Sequence, residues 1–245
     1  MFIIPRGTPG MEMLRSTGLA GEPLGDGAHG YLRFTGCRVP AENLLGEPGS
    51  GFAIAQTRLG GGRLHHAMRS VGTCQRAMEM MTERIASRRT RGGRLADQQS
   101  VRQSLADTWI QIEQFRLQVL HAAWQVDKSA RTGDRADARA ARLHISAVKA
   151  ATPGILVDVV YRAMHLHGAL GVSNELPLAK MWQSGPVLGV ADGPTEAHKD
   201  VVARLLLKDA TPAEDRLFGS HHLPARLEAA QKKYASVLAD VEAAR

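Results

Sequence analysis

Only two cysteines, Cys37 and Cys74, occur in 245 residues, in no metal-like spacing and too few to staple a chain of this size. Both read as small buried residues. Aromatic residues are equally scarce, with three Trp, three Tyr and five Phe, and few lie near the arginine-rich run RIASRRTRGGRL at 84–95. A stacking platform for nucleic acid is therefore not expected, in spite of a net charge of +7. No apolar run approaches the roughly 18 residues of a membrane helix, and the opening MFIIPRG lacks the hydrophobic region of a signal peptide. A cytoplasmic protein without a membrane span is the expectation. Glu-x-x-His pairs, the di-iron signature of helical bundles, are also missing, so the ten histidines, including the pairs at 65–66 and 221–222, predict no metal centre.

What is present begins with an apolar share of 44%, enough to fill the core of one large domain or two modest ones. Arginine supplies 24 of the 31 basic residues. That balance suits phosphate recognition, since the planar guanidinium pairs with two oxygens at once; genomic base bias would give the same composition.

The pattern of the chain changes near Gly51. Before it, turn-forming clusters punctuate short extended runs such as FII and YLRF; in the second, Leu32 and Phe34 face one way and Tyr31 and Arg33 the other. This predicts β-structure with loops over 1–50. After it the apolar period lengthens. Met68, Val71, Met78, Met81 and Ile85 form one helical stripe, and Val101, Leu105, Ile112, Phe115, Val119 and Val126 a second. A third runs through Ile145, Val148, Ile155 and Val159 with a kink expected at Pro153, and a fourth begins at Thr195. Four such helices imply a bundle over 51–208. Residues 209–245 read as a linker followed by one short charged helix through Leu227, Tyr234, Leu238 and Val241.

Single motifs leave alternatives open. Gly168 and Gly171 in HGALGV offer close backbone approach, yet without a preceding strand or a third glycine in register they make no dinucleotide fingerprint, and a tight helix-to-loop turn is the better reading. The arginine run reads as an anion clamp or as a solvated loop. Asp192, ahead of a Gly-Pro turn and a helix, reads as a helix cap or as a catalytic acid.

Taken together, the segments resemble the acyl-CoA dehydrogenase family. They are CRVPAENLLGEPGSGF (37–52), R-x-x-R-G-x-x-L-x-x-x-Q from Arg88 to Gln99, LAD (105–107), HLHGALGVSNELPL (165–178) and ADGPTEAHK (191–199), in the family's order and spacing over residues 1–208. The resemblance implies a mainly α fold: the family's C-terminal four-helix bundle preceded by part of its β-domain. It also implies FAD as cofactor, an acyl-CoA thioester as substrate, α,β-dehydrogenation as reaction and an electron-transfer partner. ADGP stands where most members have YEGT, which makes Asp192 the expected general base, one methylene shorter than glutamate. The other position that the family uses for its base is Gly62 here, next to Arg63.

The same resemblance places Arg88, Thr90, Leu95, Gln99, His165 and Gly168 against the flavin of a neighbouring subunit, Pro194 near the chain's own, and Glu196 at a further cofactor-adjacent position. Departures accompany these matches. Arg91 replaces a phenylalanine, His165 a glutamine, Ala169 a second glycine and Pro194 a threonine. Family members begin with a helical domain of about a hundred residues and the first half of the β-domain, whereas this sequence opens inside that domain. Three readings follow: an acyl-CoA dehydrogenase portion completed by a missing segment or partner chain, a non-catalytic subunit that completes the flavin site of a full-length relative, or an unrelated binding bundle. A homo-oligomer, or a hetero-oligomer with such a relative, is expected.

Overall fold

The computed structural model describes residues 1–210 and 221–243, and its chain divides into two compact units, Met1–Ala203 and Arg204–Arg245. The first unit opens with an antiparallel hairpin, β1 (Met11–Thr17) and β2 (His29–Phe34), with a register shift between Met13 and Arg15. The YLRF run is a strand as expected, but FII contributes only an isolated bridge from Phe2 to Leu44. The predicted alternation does not bury one face: β2 is exposed along its whole length, Leu32 and Phe34 included. A two-stranded sheet has nothing stacked on it to hide either side.

Helix α1 (Gly51–Ser87) leads through a short hairpin, β3 (Arg89–Thr90) and β4 (Gly93–Arg94), into α2 (Gln99–Thr132). Left-handed Gly133 ends α2, and Asp134 starts α3 (Arg135–His167) by accepting the amides of Ala136 and Asp137. Short α4 (Ala169–Val172), α5 (Leu178–Val190) and α6 (Thr195–Leu207) follow. Helix α3 packs against α1, α2 and α5, and its apolar side meets theirs in one core that includes Met81, Ile85, Ile112, Leu156, Val159 and Leu178. Phe115, Val119 and Val148 anchor a second cluster with Ala67 and Val71.

The fold is therefore mainly α, a four-helix bundle preceded by a partial β-region. Its fourth member differs from the expected one, because α5 packs on α3 and α6 merely continues beyond a turn. Gly185, Pro186 and Gly189 hide α5 from a periodicity argument. Gly185 has a packing reason: it is buried, and a β-carbon there would collide with Val157 of α3. Helix α3 continues through Pro153. It also contains a window of mean hydropathy 1.4, long and apolar enough by length and composition to cross a membrane. Its apolar side is instead spent on three neighbouring helices.

Cys74 is buried as expected, its thiol pushed up to about 12 by desolvation, while Cys37 is only partly covered. In the second unit the expected single tail helix is two, α7 (Leu223–Lys233) and α8 (Ala235–Ala243), broken at Tyr234. Most of the expected linker lies outside the described residues.

Candidate active site

Helix α1 presents two groups of the expected site residues, one near each end. At the first, the chain leaves α5 and turns at Asp192 and Gly193, both with positive φ, 57° and 106°. Asp192 tolerates this region through its short polar side chain, and Gly193 through its missing β-carbon. The Asp192 side chain is 16% exposed and faces α1: Oδ1 lies 3.9 Å from Arg58 Nη1 and Oδ2 3.7 Å from His66 Nε2, an ion pair when that imidazole is protonated. A β-carbon on Gly62 would stand 3.6 Å from the same Oδ2. The two base positions that the resemblance names thus converge on one point. The alternative in which Asp192 caps α6 finds no support, since none of the described hydrogen bonds reaches its carboxylate from that helix.

The main chain of the turn is clasped from three helices. Arg63 Nε of α1 and His198 Nε2 of α6 both donate to the Asp192 carbonyl, at 3.0 and 3.2 Å. From α3, Lys149 Nζ donates to Leu188 O at 2.8 Å and Gly193 O at 2.9 Å. Because a carbonyl only accepts, His198 carries its proton on Nε2, which leaves buried Nδ1 without a partner among the described residues. Burial holds the His198 imidazole below the ordinary histidine value, the bond to Asp192 opposes that, and the charges of Arg63 and Lys149 add to it. Burial likewise lowers Arg63, against the pull of Asp192. His66 and Leu188 also line a cavity of 570 Å³ between α1, α5 and the hairpin loop, whose wall mixes Leu156 and Met181 with Arg69, Arg76 and Lys180; Gly193, Arg63 and His198 line a separate cavity of 750 Å³. Pro194 and Glu196 are exposed just beyond the turn.

At the far end of α1, Arg88, Thr90, Leu95, His165 and Gly168 line one cavity of 400 Å³ together with Arg84. Five of the six residues expected to face a neighbour's flavin are therefore brought together. Gln99 is not among them; it stands exposed at the first turn of α2. Arg84 donates weakly to His167 O at 3.4 Å and keeps a buried, unpaired Nε–H, and neither Arg84 nor Arg88 forms an ion pair among the described residues. Two guanidiniums one turn apart, without an acid between them, suit a diphosphate. From Gly62 to Arg84 the helix climbs about 33 Å at 1.5 Å per residue, so the two groups form separate sites on the chain.

The family model for the C-terminal domain of acyl-CoA dehydrogenases matches residues 49–207. The chain belongs to the acyl-CoA dehydrogenase family. Probable acyl-CoA dehydrogenase FadE2 of Mycobacterium tuberculosis is 41% identical over 204 residues, 83% of this chain and 48% of that protein. Human acyl-CoA dehydrogenase family member 11 is 37% identical over 85% of this chain and 26% of its own length. Butyryl-CoA dehydrogenase from Megasphaera elsdenii superposes with a TM-score of 0.73 at 29% identity, over 84% of this chain and 51% of that one. The chain thus spans about half, or less, of the length of these three relatives.

Several residues of this acyl-CoA dehydrogenase domain escape a motif reading. His66 reads as half of a His-His pair, and its proximity to Asp192 appears only once the turn after α5 is brought against α1. Lys149 left a usable signal, a lone lysine three or four places from Ile145, Ser146 and Thr152 on the buried side of α3. Arg84 falls four residues before Arg88, hence over the same cavity.

Proposed function

We propose that this chain is the base-bearing portion of an FAD-dependent acyl-CoA dehydrogenase, with Asp192 as the general base. The observation that carries the reading is the convergence of the Asp192 carboxylate and Gly62 on one point of α1, with His66 standing between that carboxylate and the 570 Å³ cavity. The acyl thioester would lie in that cavity, its α-carbon at Asp192. Asp192 takes the α-proton, and the half-covered His66, which faces both the carboxylate and the cavity, borders the reacting carbons. Arg63, Lys149 and His198 hold the main chain of the turn still, so that the carboxylate needs no search for its target. Bound flavin would supply the acceptor for the hydride leaving the β-carbon, and an electron-transfer partner would reoxidise it.

The residues near each end of α1 fit the cofactor in part. Arg84, Arg88 and Thr90 suit its diphosphate, and Pro194 and Glu196 border the base. A second reading is supported by the 33 Å estimated between the two ends. On that reading Arg88, Thr90, Leu95, His165 and Gly168 serve the flavin of a neighbour, either a second copy or a full-length relative, whose own base end is completed in return. The exposed faces of β1 and β2 favour such a partner, because an open two-stranded edge with Met13, Leu32 and Phe34 uncovered invites pairing.

A visible spectrum of the purified chain, taken after FAD is added and the excess removed by gel filtration, tests the proposal. A flavin band in an oligomer that bleaches on adding acyl-CoA, and fails to bleach in Asp192→Asn, supports the dehydrogenase. No band in the presence of a full-length relative, and no gain in that relative's flavin content, would count against both readings.

A further inference from the structure

Lys149 is 3% exposed, and no other Lys, Arg, Asp or Glu among the described residues is buried as deeply. A buried ammonium is costly unless its donors are engaged, and the two acceptors of Lys149 bracket the candidate base. Helix α5, like any helix, leaves its last four carbonyls without intrahelical donors. Here Val187 O receives the Ala191 amide at 2.9 Å, Gly189 O receives Thr195 Oγ1 at 3.3 Å, and Leu188 O receives Lys149. A cation at a helix C-terminus also meets the negative end of the helix dipole. The second acceptor, Gly193 O, follows immediately on left-handed Asp192.

One side chain from the bundle's central helix thus ties the segment before Asp192 to the residue after it. We propose that Lys149 is a positioning residue for the candidate base: by bridging Leu188 O and Gly193 O it maintains the left-handed backbone of Asp192 and so aims the carboxylate at α1. Burial pushes the Lys149 ammonium below the usual lysine range; Asp192 and Glu196 oppose that, while Arg63 adds to it. The positioning follows from the geometry alone, and its effect on turnover rests on the dehydrogenase reading above.

Amide hydrogen exchange on the full chain tests the positioning without any cofactor. In Lys149→Met, which keeps length and drops the charge, residues 189–195 exchange more than about tenfold faster while the cores of α2 and α3 change by less than about twofold. Lys149→Arg, with its donors retained, restores much of the protection. Should Lys149→Met not fold, Lys149→Gln, whose amide can serve one of the two carbonyls, gives the same comparison. Wild-type exchange in the turn, or a rise spread evenly through the bundle, overturns the proposal. Where acyl-CoA-dependent flavin reduction is present, Lys149→Met lowers kcat by roughly tenfold to a hundredfold with KM nearly unchanged, and adds nothing to Asp192→Asn. A change confined to KM overturns the link to turnover. If Asp192→Asn turns over normally, the base reading fails while the exchange result stands.

Discussion

At the Asp192 end of α1 the basic groups are spoken for: Arg63, Lys149 and His198 donate to carbonyls, and Arg58 and His66 face a carboxylate. At the Arg88 end the guanidiniums of Arg84 and Arg88 line a cavity with no acid paired to them among the described residues. The difference separates two kinds of preparation. The first end is organised by its own chain, with donors aimed at main-chain oxygens that no ligand replaces. The second holds an excess of positive charge that becomes favourable only when an anion arrives from outside.

The sharpest way to break the comparison is to remove the group each end is organised around. Asp192→Asn should slow flavin bleaching by acyl-CoA by about 10² to 10⁴, the range for losing a general base, and leave FAD retention intact, as stopped-flow absorbance and gel filtration would report. Arg88→Ala should do the reverse, weakening FAD retention by about tenfold to a hundredfold through the loss of charge-assisted bonds. Its equilibrium dialysis would be read beside unchanged hydrogen exchange in the Asp192 turn. If both variants lost cofactor alike, the division between the ends would be wrong.

Smaller effects sharpen it. Gly193→Ala places a β-carbon 3.0 Å from His198 Nε2 at a φ of 106°, and should lower stability by about 1–3 kcal/mol in urea unfolding. The least effect concerns pH. The folded-state value of His198 is depressed, so its contribution is present above the ordinary histidine value near 6.5. It is lost as pH falls from there through the folded value, because the unfolded chain binds the proton first. Urea midpoints measured from pH 7.5 to 5 should therefore fall, and His198→Gln, which retains a donor to the Asp192 carbonyl, should flatten that slope.

The four helices and both ends of the site left different traces in the sequence. Stripes such as Met81–Ile85 and Ile112–Phe115–Val119 were legible because burial on one side of a long helix enforces spacing. Helix α5 was not, since Gly185 serves a close approach to Val157 that only the partner helix explains. Arg88, Thr90, Leu95 and His165 could be grouped through the family's motif order, whereas Gln99, the same motif's last residue, points elsewhere because α2 begins there and turns away. The burial of Lys149 left a local trace on α3, but the partners of Lys149 and His66 lie 39 or more residues away along the chain, a distance across which local pattern does not identify a contact.

The unbroken run of α1 has a geometric corollary. A helix is a screw as well as a rod, so the 22 residue steps from Gly62 to Arg84 set an azimuth along with a length. One residue more or fewer in that interval would turn the guanidinium pair about 100° away from its present bearing relative to Asp192, while moving it only about 1.5 Å. If two copies share their sites, the phase of this helix dictates the symmetry by which they meet, and substitutions along it should be tolerated far more readily than any change in its count.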